Sequence, residues 1–286
     1  MKIEYDVIDA SIFEIIPNEL NQKIAFLAKD LVNKEYIFKP SWMGHYHNIN
    51  EFISHYVASL INAPIVKGTF LKIDPQTMEE YHNKIQLGIP HAVLPTYIPP
   101  YNEAIFFAVE YLKDATPAKT ITHLENSLEH TSNRESFFSQ FSLDQYLKNY
   151  DRHLGNHIFY KELNKVIFYL IDFDRIFYGA TDWSRLDYEL DNTNCFNVPR
   201  YNADLYPIVK DKDMKKVHNY AAYIMNKIDD EAIDNICDII DYVYTVDKAD
   251  LVKIAQWLRY RREIIYSACL KNENCFKNVQ QEGVFK

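Results

Sequence analysis

The sequence predicts an α+β chain in two parts, strand-rich at its N-terminal end and helical afterwards. Three observations carry that expectation. Short apolar runs separated by polar turns fill residues 1–40, helical periodicities dominate from residue 102 onward, and two acidic motifs flank what reads as a β-hairpin over residues 157–171.

The opening runs are Tyr5-Asp6-Val7-Ile8, Ile12-Phe13-Glu14-Ile15-Ile16, Ile24-Ala25-Phe26-Leu27 and Tyr36-Ile37-Phe38-Lys39, with turns expected at Pro17-Asn18 and across Asp30 to Lys34. From Glu51 to Ile61 apolar residues stand at 52, 53, 56, 57, 60 and 61, which predicts a helix capped by Asn50 and ended by Ala63-Pro64. Ile65 to Ile73 and His91 to Ile98 read as strands, the second bounded by Pro90 and Pro99-Pro100. The domain break is placed there, giving a β-rich part over 1–98 and a helical part over 99–286. Asn102 to Lys113, with Ile105, Val109 and Leu112 on one face, reads as the first helix of the second part. Ser136 to Tyr150 and several segments from Met214 onward follow, the last opening at Asp247. Asn192 to Asp211 is an expected surface insertion.

Composition narrows the function classes. With 48% hydrophobic residues in 286, the chain has material for a large core. Lys+Arg 31 against Asp+Glu 40 gives 31 − 40 = −9, which argues against nucleic acid or an anionic membrane as partner. No run of about 18 apolar residues occurs and the first residues carry acids, so a cytoplasmic protein is expected. Cys195, Cys237, Cys269 and Cys275 form no Cys-x-x-Cys pair and read as reduced thiols. The histidines show no His-Glu-x-x-His spacing, and Walker A, Gly-x-Ser-x-Gly and Gly-x-Gly-x-x-Gly motifs are absent.

Chemistry concentrates in Asp151-Arg152-His153-Leu154-Gly155-Asn156 and, sixteen residues after Asn156, in Asp172-Phe173-Asp174. An aspartate five residues before an asparagine, then an apolar hairpin, then a second aspartate, is the spacing of a phosphoryl-transfer site. Such chemistry needs one carboxylate near the attacking hydroxyl and further oxygen ligands holding Mg²⁺ against the ATP phosphates, because charge is the main obstacle to approach. Asp151 is therefore the expected catalytic residue, and Asn156 and Asp172 the expected metal ligands. Lys39, ending an apolar strand before Pro40, is the expected cation on the phosphates, with Glu51 as its candidate partner. Arg152 is expected to pair with a carboxylate and His153 to brace the loop; Asp174 is either a further ligand or a partner of Arg175.

These segments in their order resemble the bacterial HipA-like kinases, in particular the short stand-alone branch: Lys39 ending a strand, Asn50-Glu51 opening a helix that closes on Leu60-Ile61-Asn62-Ala63-Pro64, the Asp151–Asn156 loop, Leu170-Ile171-Asp172-Phe173-Asp174, and a late helix with Leu258-Arg259-Tyr260-Arg261-Arg262. The Asp-Arg-His order is also similar to phosphoinositide kinases. The resemblance implies a bilobal protein-kinase-like fold, ATP with Mg²⁺, transfer to Ser or Thr of a protein, and, in some relatives, a toxin role with an antitoxin-like partner. The chain departs from that pattern in having no glycine in residues 1–43, so the expected phosphate-covering loop, Asn18 to Lys23, lacks the residue that permits close backbone approach. Two alternatives stay open: a nucleotide-binding pseudokinase acting as an interaction partner, and a small-molecule kinase of the aminoglycoside or choline type whose cationic acceptor would meet Asp182, Asp187, Glu189 and Asp191.

Overall fold

In a computed structural model of the chain, the described residues are 4–17, 24–39, 46–80, 104–149, 151–177, 211–244 and 246–282, with Trp183, Leu186, Leu205, Ile208 and Val209 between them. The strand expected over His91 to Ile98, the loop Asn18 to Lys23, the acidic residues 182–191 and nearly all of the 192–211 insertion lie outside them. Two compact units emerge, one from Ile3–Phe52 with Val66–Lys113, the other from Ile53–Ile65 with Asp114–Lys286 and the first two residues. The chain passes from one unit to the other after Phe52, Ile65 and Lys113.

The first unit is a closed barrel in the order β1-β2-β3-β5-β4, where β1 is Val7–Pro17, β2 Ile24–Asp30, β3 Glu35–Phe38, β4 Gly68–Ile73 and β5 Ala104–Glu110. β1 is one strand where two runs were expected. Its alternation breaks because the register on β2 shifts between Ile12 and Glu14, a bulge that inserts Phe13. Asp30 builds the β2–β3 turn, its carboxylate accepting from the Val32 and Lys34 amides at 2.9 and 2.8 Å.

β5 corrects the helix expected over Asn102 to Lys113. A short apolar run satisfies helical and strand templates alike. Here pairing decides: Ala104–Ile73 through Val109–Gly68 ladder against β4, and Phe38–Ala108 through Tyr36–Glu110 against β3. Phe106 and Ala108 then join Phe26, Phe38, Leu71 and Ile73 in one buried cluster.

The helix α1, Tyr46–Leu60, also differs from expectation, since Asn50 lies inside it and not at its cap. Its C-terminal end matches: Asn62 takes φ 54°, and the Ala63 and Asn62 amides reach back to the Ala58 and Ser59 carbonyls at 2.9 and 3.2 Å. That closure satisfies the last carbonyls just before Pro64. Within the barrel unit Phe52 of α1 packs on Tyr5, Phe70 and Phe107, with ring centroids at 5.2, 5.1 and 5.8 Å.

The second unit holds a three-stranded sheet, β6 Thr116–Pro117, β7 His157–Glu162 and β8 Lys165–Leu170, and the helices α2 Ile121–Glu129, α3 Ser139–Leu147, α4 Asp211–Lys227, α5 Asp230–Val243 and α6 Lys248–Glu282. Thr120 caps α2, accepting from the His123 amide, and Asp229 caps α5, accepting from the Ala232 amide. α3 is buried along its whole length although four of its nine residues are Ser or Gln and one is Asp. Each of several polar side chains there has its own partner: Ser139 donates to the Ser136 carbonyl at 2.7 Å and Ser142 to the Val217 carbonyl at 2.6 Å.

Phe52 has no exposed surface and sits in an aromatic cluster, so Phe52→Ala leaves a cavity that the surrounding rings fill only in part. Urea titration is expected to show a loss of about 3–5 kcal/mol of unfolding free energy; a loss near that of a surface substitution would contradict this packing.

Candidate active site

The β7–β8 hairpin sets the spacing of the two acidic motifs. His157 pairs with Leu170 and Glu162 with Lys165, and the ladder continues one step through the Ile171 amide, which donates to the Asn156 carbonyl at 3.1 Å. Antiparallel register therefore puts Asn156 beside Ile171 and leaves Asp172 one residue further along. A second clamp acts on β8 from Asn133, whose side chain both donates to the Phe168 carbonyl at 2.8 Å and accepts from the Phe168 amide at 2.9 Å. The Leu170 amide donates to the Pro64 carbonyl at 2.7 Å.

The loop before β7 starts where α3 ends in left-handed Lys148, φ 52°. Asn149 then bonds in two directions, Nδ2 to the Asp144 carboxylate at 3.0 Å and Oδ1 from the Asp151 amide at 3.2 Å. Asp151 is half-buried, and its carboxylate has no protein partner among the described residues. Asn156 is buried, and its Nδ2 donates to the Asp151 carbonyl at 2.8 Å. That bond orients the amide so that Oδ1 is the atom left to accept, with no donor on it among the described residues.

Arg152 is the expected partner of a carboxylate, and the carboxylate is Asp144 of α3. Nε and Nη2 reach its two oxygens at 2.9 and 3.1 Å with both side chains fully buried. Nη1 donates to the Ile171 carbonyl at 2.7 Å, which carries the pair across to the second acidic motif. His153 differs from expectation: its ring is exposed, and its backbone carbonyl makes the loop contacts, accepting from the Asn156 amide at 3.0 Å. A Cβ at Gly155 would meet the exposed His153 ring at 3.0 Å, a contact that a shift of the ring by a few tenths of an ångström relieves.

His157 faces the loop from β7. Its Nδ1 lies 3.0 Å from the His153 carbonyl and 3.2 Å from that of Leu154, and Nε2 lies 2.6 Å from the Gln140 side-chain amide. Complete burial, with the Arg152 charge adding to it, pushes this imidazole down to about 3. A neutral ring donates from Nδ1 to the carbonyls and accepts at Nε2; the Gln140 atom facing it is Oε1, and turning that amide over brings its unpartnered NH₂ to the ring.

Asp172 holds φ 60°, a left-handed conformation that a non-glycine residue keeps only when its surroundings hold it. Phe173 beside it is buried, its carbonyl 3.4 Å from Ser54 Oγ. Asp174 stands 4.0 Å from Arg175 as an ion pair.

In the barrel unit, Lys39 follows β3 and is half-buried, while Glu51 sits in the second turn of α1. Asn48 ties these elements together, donating to the Lys39 carbonyl at 3.2 Å and accepting from the Phe107 amide at 2.9 Å. Glu51 is thus an interior helical residue, and a role at the helix N-terminus is excluded.

Sequence reading missed Asp144, Asn149 and Gln140, and named Arg261 only within the late-helix segment, with no role. Asp144 had a signal, because it follows buried Phe141 by three residues on α3, where a charge demands a buried partner. Arg261 of α6 is buried and caps α3 from outside, donating to the Tyr146 carbonyl at 3.2 Å and to the Gln145 carbonyl.

Chemically, Asp172 and Asn156 offer oxygen donors, the type a hard divalent cation takes. Among the described residues no group of three or more His, Cys, Asp or Glu could hold a metal ion by itself. Two protein oxygens with the remainder from phosphates and water is the usual environment of Mg²⁺, so the donor set fits that ion.

No protein-family model matches the sequence, and no curated protein matches it significantly. Among solved structures the chain is similar to the Helicobacter pylori proinflammatory kinase CtkA, with a TM-score of 0.56 at 13% identity, over 93% of this chain and 99% of that one. It is more distantly similar to HipA from a Shewanella oneidensis complex with HipB and operator DNA, with a TM-score of 0.43 at 10% identity over 95% of this chain and 66% of that one. A Leishmania major MAP kinase, LmaMPK10, follows at 0.33 and 10% over 97% and 84%. The likeness to CtkA shows the fold class: this is an α+β chain of protein-kinase-like fold. Among the described residues no helix is long and apolar enough to cross a membrane.

The depressed His157 pKa has a sign that can be checked. The unfolded ring takes up a proton near 6.5 and the folded ring near 3, so its contribution is fully present above pH 6.5 and is lost as pH falls between those values. Urea unfolding at successive pH values is expected to show the wild type losing up to about 1.4 kcal/mol per pH unit more than His157→Gln within that window. Equal slopes would mean that the ring is charged in the folded protein.

Proposed function

We propose that the chain is an ATP- and Mg²⁺-dependent phosphotransferase that moves the γ-phosphoryl group to a hydroxyl, most simply a Ser or Thr of a protein. The observation that carries this reading is the Asp151 carboxylate, without a partner among the described residues, held one loop away from the oriented Asn156 oxygen and left-handed Asp172. In that arrangement Asp151 orients the acceptor hydroxyl and receives its proton as the new O–P bond forms and the bond to ADP breaks. Asn156 and Asp172 hold the ion, which when bound offsets the charge on the phosphates. Lys39 supplies a cation to the phosphates, with Glu51 as its partner. The fold likeness to CtkA supports a kinase, and the resemblance of the sequence segments to HipA-like kinases favours a protein acceptor.

One observation favours a second reading. The glycine-free N-terminal segment removes the usual phosphate-covering backbone, which suits a nucleotide-binding partner protein without turnover.

Incubation with γ-labelled ATP, Mg²⁺ and a mixture of protein and hydroxylated small-molecule acceptors separates these. Wild-type protein is expected to transfer label, and Asp151→Asn to lose about 10²–10⁴-fold in rate, the usual contribution of a positioned base, while keeping its melting temperature. Transfer at the wild-type rate in Asp151→Asn would refute the assignment of Asp151, and nucleotide binding without any transfer would favour the second reading.

A further inference from the structure

Arg152 grips the chain on both sides of Asp172. Nη1 donates to the Ile171 carbonyl at 2.7 Å, and the guanidinium carbon lies 4.4 Å from the centroid of the Phe173 ring. Between these two anchors Asp172 holds its left-handed φ of 60°. The guanidinium cannot drift, because Nε and Nη2 are fixed on the two oxygens of buried Asp144, which Asn149 also bonds. Asn149 in turn accepts from the Asp151 amide, so one network reaches both acidic motifs.

Resting on the phosphotransferase reading above, we propose that Arg152 is a positioning residue: the Asp144–Arg152 pair holds the Ile171–Phe173 turn and so sets the aim of the Asp172 carboxylate toward Mg²⁺ beside Asn156. A side chain that only filled space would not need this fork. Two carboxylate oxygens, one carbonyl and one ring face are met at once by a planar guanidinium, whereas an ammonium meets them one at a time. Lysine at 152 keeps the charge and loses the second grip, and Asn at 144 keeps the shape and loses the counter-charge that holds the fork in place.

The test uses the full-length chain with Arg152→Lys and, since that variant risks misfolding, Asp144→Asn as a second route. In ligand-free protein, hydrogen exchange is expected to show lost protection at residues 171–174, led by the Ile171 amide that donates to Asn156, with α5 and α6 protected as in wild type. In parallel, the Mg²⁺ concentration giving half-maximal ATP binding is expected to rise about ten- to hundredfold, with ATP binding in EDTA unchanged. Wild-type exchange at 171–174 in either folded variant overturns the proposal, and so does an unchanged Mg²⁺ midpoint accompanied only by a lower melting temperature. If wild-type protein shows no Mg²⁺-dependent ATP binding, the phosphotransferase reading falls, and the exchange data alone decide whether Arg152 holds the turn.

Discussion

A fully buried ion pair, Arg152 with Asp144, is the constraint on which the helical unit's chemistry depends. Taking both charges out of water costs several kcal/mol each, and only good geometry with further hydrogen bonds offsets this. Here those bonds come from Asn149 on the carboxylate and from the Ile171 carbonyl on the guanidinium. Removing one partner from such a pair leaves an uncompensated buried charge, typically a loss of about 3–5 kcal/mol. The cost explains why buried α3 carries polar residues, with Ser139, Ser142 and Asp144 each hydrogen-bonded: it is the platform from which Asp144 reaches the loop.

Arg261 extends the same logic from the far side. The α3 helix ends at Leu147, and its final carbonyls would be buried without donors if α6 did not present a guanidinium to them. Tyr146 returns a bond to the Leu258 carbonyl at 3.0 Å, so α3 and α6 are joined in both directions. The motif-bearing loop thus leaves a helix fixed at its end, enters a hairpin fixed in register, and has little freedom between.

Much of this was legible in the sequence, and the parts that were not share a cause. The Asp30 turn, the Ala63-Pro64 stop and the β7–β8 hairpin rest on local chemistry, and local chemistry is what a sequence displays. β5 was misread because Ile105 to Val109 suits a helix or a strand equally, and its partners β3 and β4 are distant in sequence. Asn50 was misplaced as a cap for a related reason: the earlier turn of α1 is held by Asn48 bonding to Phe107 and Lys39, contacts that no local pattern announces. Of the site, Asp151, Asn156 and Asp172 stood out by spacing, and the register of the hairpin brings them into one neighbourhood. Asp144 did not stand out, and Arg261 was quoted without a role, because their importance lies in what they face after folding.

On the proposed phosphotransferase reading, Asn156 and Asp172 would be an oxygen ligand set completed by phosphates, which would tie metal binding to nucleotide binding. Calorimetric titration of ATP into the wild-type chain, once with Mg²⁺ and once with EDTA, tests this most directly. Saturable binding that strengthens markedly with Mg²⁺ is the result expected here; no heat at millimolar ATP, or binding indifferent to Mg²⁺, would contradict it.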